Sequence, residues 1–202
     1  MDLKTGKVRG GNCGPSGRRR WAARALLAIG ALLFFPGPGA LAQLPTRDEV
    51  EAAYLYNFGK FVRWPAAAAQ GPLTICVAAP ASLRDALGRL VAGEQINGRP
   101  LEVKGLDRPE SVAGCSILFV GSAEAGRMDA FLAAAAGKPV LTVGDGPDFL
   151  VRGGTIQFVL MEDHVRFSVN LNAANREGLS LSSELLKVAV SVTGQPQTGG
   201  PR

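Results

Sequence analysis

Few residues in this chain could do covalent chemistry. The 202 residues hold one histidine, His164, and three cysteines, Cys13, Cys76 and Cys115. A Ser-His-Asp arrangement would have to recruit His164 as its base. That residue follows Glu162-Asp163 in a turn-forming context, so an exposed turn histidine is the plain reading. A structural zinc site takes four ligands, usually Cys or His, and Cys76, Cys115 and His164 cannot supply them. The acid pairs Asp145/Asp148 and Glu162/Asp163 are of the right type for general acid–base work. Both lie among turn residues, where aspartate bonds its own backbone. A nucleophile elbow G-x-S-x-G is missing, since Gly178-Leu179-Ser180 breaks off two residues later. Gly144-Asp145-Gly146 opens a dinucleotide-binding pattern, but Phe149 stands where the third glycine belongs. The residues name no catalytic group, no metal site and no cofactor.

Binding chemistry is better represented. The segment 144–154 (GDGPDFLVRGG) follows the end of a predicted parallel strand, and ligands of open α/β sheets gather at such carboxyl ends. Asp145 is therefore a candidate ligand contact. Asn170 is a second one, a polar position inside an apolar motif, with a structural hydrogen bond as the competing reading. Phe149, Leu150 and Arg152 mix apolar and basic side chains in a polar loop, which suits a partner contact. Alternatively, Phe149 folds back onto the core. Tyr56 and Phe58 join these candidates, because the aromatics Tyr54, Tyr56, Phe58 and Phe61 point to more than one face of a helix. Some would stay uncovered without a partner or a second copy of the chain.

The elements that must position these groups follow from periodicity and punctuation. Apolar positions near the 3.6 period predict a helix over 48–62, with Thr46 as N-cap and Trp64-Pro65 as its end. Buried strands are predicted at 73–79, 116–120 and 140–143, helices at 82–91 and 124–136, and a short strand at 101–104 after the Asn97-Gly98 turn. Segments 155–160 and 165–171 alternate across Glu162-Asp163 and read as a β-hairpin. Asn172 is expected to cap a short helix ending at Gly178, and a last helix is expected over 182–192. Strands and helices in alternation, with continuous apolar strands, give an α/β fold. The expectation is a single three-layer domain over 43–193, a mainly parallel sheet with a C-terminal antiparallel hairpin and helices on both faces.

The first 42 residues read as a cleaved export signal. Arg18, Arg19, Arg20 and Arg24 precede the apolar run 25–35, and Ala40-Leu41-Ala42 offers a cleavage site. That run is about 11 residues, against the roughly 20 a membrane span needs. Residues 1–17 read as an N-terminal extension, and the Gly/Pro/Gln-rich 194–202 as a disordered tail. Seven of the 22 Lys+Arg and one of the 17 Asp+Glu fall in the leader, leaving 15 and 16, a charge of −1 for residues 43–202. The basic character belongs to the leader, and a nucleic-acid partner is not expected. Cys76 and Cys115 are the cysteines that remain. In an oxidising space an even pair reads as a disulfide, with two buried free thiols as the alternative. Closing that loop would stabilise the fold by about 3–4 kcal/mol.

Several blocks together resemble the YfiR family. They are the motif at 51–65 (EAAYLYNFGKFVRWP), then Ile75-Cys76-Val77, the segment 115–120 (CSILFV), and 140–145 (VLTVGD). Gly153-Gly154-Thr155-Ile156, the segment 165–170 (VRFSVN), and Gly178-Leu179-Ser180 through Leu185-Leu186 complete the set. They stand in order across roughly 48–190. The resemblance implies a non-catalytic periplasmic regulator that represses the periplasmic sensor region of an inner-membrane diguanylate cyclase, and so cyclic-di-GMP synthesis and biofilm formation. A sensor kinase is the other implied partner type, an outer-membrane lipoprotein a further one, and homodimerisation is open. The resemblance also places Cys76 and Cys115 in the family's two strand-associated cysteine positions. The competing functional expectation is a periplasmic small-molecule-binding protein feeding a receptor or transporter.

Overall fold

A computed structural model of the chain describes residues 44–195. These belong to one compact unit, Gln43–Arg202. The predicted leader and residues 196–202 of the predicted tail lie outside the described residues.

Helix α1 (Arg47–Phe61) starts where the sequence places it, because Thr46 and Glu49 form a reciprocal capping box. A two-residue strand β1 (Val62–Arg63) follows, then β2 (Leu73–Ala78), α2 (Ala81–Val91), β3 (Gln95–Ile96) and β4 (Arg99–Gly105). Asn97 and Gly98 both take positive φ, 53° and 77°, which closes the β3–β4 hairpin. The second half runs β5 (Ile117–Val120), α3 (Met128–Ala135), β6 (Leu141–Gly144), β7 (Ile156–Met161) and β8 (His164–Asn170). It ends with α4 (Leu171–Arg176), β9 (Ser180–Leu181), α5 (Ser183–Lys187) and β10 (Ser191–Thr193).

The main sheet has the order β10-β8-β7-β6-β5-β2-β4-β3, and β1 pairs separately with β9. From β4 through β2, β5 and β6 to β7 every pairing is parallel, while β7–β8 is the predicted antiparallel hairpin. Strand residues alternate between two cores. Ile75, Val77, Ile117, Phe119, Leu141 and Val143 face α1 and α2, with Phe58, Phe158 and Phe167 in the same cluster. Cys76, Ala78, Leu118 and Val120 face α3 on the other side, with Phe131 and Phe149. This is the three-layer α/β fold that the alternation of elements implied.

Two local expectations are corrected. The short helix after β8 is capped by Asn170, whose side chain accepts from the Ala173 N–H at 3.2 Å, rather than by Asn172. The last helix stops at Lys187 instead of running to 192. Beyond it Val188, Val190 and Val192 alternate with smaller residues, a pattern β-branched side chains favour in strands. The Val190 N–H bonds the Phe167 carbonyl at 2.8 Å, and Ser191–Thr193 joins β8 as a parallel edge.

Candidate functional site: a crevice at the switch point of the sheet

Strand order locates the site. From the carboxyl end of β2 the chain leaves through α2 on one face and reaches β4. It then crosses back to β5 on the opposite side of β2, and leaves β5 toward α3 on the other face. Connections diverging from neighbouring parallel strands leave a gap between their carboxyl ends, where such sheets bind ligands. Here the gap is a cavity of about 170 Å³. Ala79, Pro80 and Leu83 line one side, Gly121, Ser122 and Ala123 another, with Phe119 beneath and Arg47, Asp48, Glu51 and Asp145 around the rim.

The charged groups are tied to one another. Arg47 Nε donates to Glu51 Oε1 at 2.7 Å and its Nη2 to Asp145 Oδ2 at 2.9 Å. Asp145 Oδ1 accepts the Ser122 backbone N–H at 2.5 Å, and its Oδ2 lies 3.2 Å from Ser122 Oγ. The Glu51 side chain is only 3% exposed, whereas Arg47 is half exposed. Burial pushes the Glu51 carboxyl above its usual range, opposed by the hydrogen bond and charge of Arg47. The same contact holds Arg47 more firmly protonated. The Arg47–Glu51–Asp145 set clamps the start of α1 to the end of β6.

Of the residues singled out from sequence, Asp145 stands in this crevice and the others do not. Asn170 serves as the α4 cap, and its Nδ2 donates to the Leu150 carbonyl at 3.2 Å, so its polar atoms are engaged within the fold. Two partner candidates are corrected by burial. Phe58 is 1% exposed and stacks with Phe158 at 5.9 Å, while Phe149 is fully buried. Phe149 plugs the 144–154 loop into the α3-side core, where it fills the space a side chain would need at Gly144 and Gly154. Leu150 is half-buried, with its N–H directed to Gln157 Oε1. Arg152 lies at the surface, 3.1 Å from Asp129. Tyr56 is half-buried, with its hydroxyl on Glu94 Oε2 at 2.8 Å and Lys60 over its ring. The apolar residue that the loop does present outward is Val151, 87% exposed. His164 is exposed at its turn, with Nδ1 2.6 Å from the Glu162 carbonyl oxygen.

Sequence reasoning missed Arg47 and Glu51. The signal was there: Glu51, Leu55, Phe58 and Val62 fall at the 4-3-4 spacing of a buried helical stripe, and a carboxylate on that stripe needs a partner. Cys76 and Cys115 form a disulfide, with Cα atoms 5.7 Å apart, joining β2 to the residues entering β5. Among the described residues, no group of three His, Cys, Asp or Glu side chains could hold a metal ion. No described helix is long and apolar enough to cross a membrane.

An α/β domain with a switch-point crevice and a disulfide joining β2 to the start of β5 is the class that fold and site define. The chain belongs to the YfiR/HmsC-like family, whose pattern matches residues 48–190. Among solved structures it is similar to a conserved domain protein from Vibrio cholerae O1 biovar El Tor, with a TM-score of 0.53 and 13% identity. The match covers 73% of this chain and 60% of that one, and it shows a shared fold. An ABC domain from Streptococcus pneumoniae solved with L-Trp aligns with a TM-score of 0.45 and 10% identity, over 60% of this chain and 55% of that one. No curated protein matches the chain in sequence.

Proposed function

We propose that this chain is a periplasmic regulator that binds the periplasmic sensor region of an inner-membrane signalling protein, a diguanylate cyclase, and holds it inactive. The observation that carries the reading is the family match across 48–190, which spans α1 to α5. The Cys76–Cys115 disulfide supports an oxidising compartment. Repression by contact asks for a complementary surface with a few apolar anchors and a polar rim. Tyr56, Phe61 at 38% exposure, Val151 and Arg152 offer such groups at the surface. The test is cyclic-di-GMP measured in cells lacking the gene. A rise that is reversed by an exported copy, and not by one without its leader, is the expected result. An unchanged level on deletion overturns the cyclase reading.

A further inference from the structure

We propose that a second cavity, at the amino end of the sheet, is a receptor site for an organic monocarboxylate. Its carboxylate would lie on the guanidiniums of Arg99 and Arg63, and its apolar body against Trp64, Leu73 and Ile96. The proposal rests on this cavity alone and is independent of which protein the chain represses.

The cavity, about 330 Å³, lies where the end of α1 and β1 pass the starts of β2 and β4 and the β3–β4 turn. It is therefore at the opposite end of the sheet from the switch-point crevice. Its volume falls at the lower end of the small-molecule range.

Arg99 points to an anion. Its Nε donates to the Gly71 carbonyl and its Nη2 to the Pro72 carbonyl, both at 2.9 Å, and Nη2 also reaches Ser116 Oγ at 3.3 Å. These contacts fix the guanidinium, yet every acceptor is neutral. Nη1, with its two N–H groups, has no acceptor among the described residues. The ion pairs of the described residues include neither Arg99 nor Arg63. Arg99 is half-buried, and burial pushes its pKa down with no carboxylate to oppose the shift. Arg63 is exposed and lines the same cavity. Glu184 on α5 feels the charge of Arg63 but lies beyond ion-pair distance. A cation partly removed from water and left unpaired is costly, and a carboxylate matches the planar fork of a guanidinium.

The remaining wall selects the body that carries this head. Leu73 and Ile96 are 1% and 4% exposed and form an apolar floor. Trp64 is half-buried, and its Nε1 donates to the Ser116 carbonyl at 3.2 Å. Ser116 thus holds both the indole and, through its hydroxyl, the Arg99 guanidinium, so the cationic and apolar walls keep one geometry. No Asp or Glu is among the described residues lining the cavity, so nothing there would receive an ammonium.

Tryptophan occurs at 21 and 64, and Trp21 falls in the predicted leader, so Trp64 reports on the cavity wall in the exported protein. Titration of that protein with octanoate, and separately with 3-phenylpropionate, tests the site by fluorescence. Acetate supplies the head without the body, and hexylammonium the body with the opposite charge. The expected result is a saturable change for at least one of the two carboxylates with Kd below about 1 mM, and both controls at least about tenfold weaker. The two carboxylates tell an alkyl body from an aryl one. Arg99→Gln should weaken binding at least about tenfold while keeping a cooperative melt. Should it fail to fold, Arg63→Gln at the surface is the second variant, expected to weaken binding at least about threefold. The proposal is overturned if neither carboxylate binds at millimolar concentration. Hexylammonium binding as tightly as the carboxylate overturns it too, as does a folded variant that binds like wild type. Failure here leaves the cyclic-di-GMP experiment untouched, because no partner is present in the titration.

Discussion

Glu51 sits in an environment that departs from what its type prefers, a carboxylate with a side chain only 3% exposed. Its raised pKa means that the folded chain holds the proton more tightly than the unfolded chain does. The stability this contributes is fully present below the ordinary glutamate value of about 4.3 and is lost as pH rises through the raised one. Urea denaturation of wild type and Glu51→Gln between pH 4 and 7 should therefore show the wild-type advantage shrinking as pH increases. An advantage that grows with pH would refute the assignment. At this scale the sequence was only partly legible. Asp145 could be placed because strand ends in α/β sheets are ligand sites whatever the side chains. Phe149 and Val151 could not be told apart by composition, since each is an apolar residue in the same polar loop. What separates them is the space between Gly144 and Gly154, which only the folded chain defines.

Elements carry two further predictions, both on the loop that closes the carboxyl end of β6. A Cβ at Gly154 would lie 2.1 Å from the Phe149 ring. Because that ring is fully enclosed, Gly154→Ala should destabilise the domain by about 1–3 kcal/mol through overpacking, read as a lower urea midpoint at unchanged m-value. The neck of the same loop is held by Thr142, whose Oγ1 accepts the buried Thr155 N–H at 3.0 Å and lies 3.1 Å from Thr155 Oγ1. Thr142→Val keeps the shape and strands that amide, at an expected cost of about 1–3 kcal/mol in the same measurement; a neutral effect would mean water replaces the hydroxyl. The long elements were legible because local signals agreed: the Thr46–Glu49 box, the Asn97-Gly98 turn and the Trp64-Pro65 stop each mark a boundary. The C-terminal segment was not. Val188 to Val192 can satisfy either period, and the exposed edge of β8 decides in favour of a strand.

For the whole molecule, the disulfide is the long-range constraint. The bridge closes a loop of 39 residues, a constraint worth about 4 kcal/mol in the chain-entropy account. The double variant Cys76→Ala/Cys115→Ala should lose about 2–4 kcal/mol and melt lower; calorimetry of the two oxidised and thiol-free forms checks it. A thiol-free form as stable as wild type would show that the two cores alone hold the sheet. Fold class was legible at this scale because parallel strands covered on both faces are written as continuous apolar runs. Strand order was not, since periodicity does not say that β5 returns to the far side of β2.

That strand order also sets a timetable. In the folded chain α2, the β3–β4 hairpin and the return crossover all lie between Cys76 and Cys115, because parallel neighbours cannot be joined by a tight turn. A chain emerging amino end first would expose Cys76 well before its mate, leaving a lone thiol open to mispairing with other molecules. Productive oxidation would wait until β5 had been delivered. The oxidised fraction of a pulse-labelled population would then act as a clock for closure of the β2–β5 pair, whatever the remaining strands are doing.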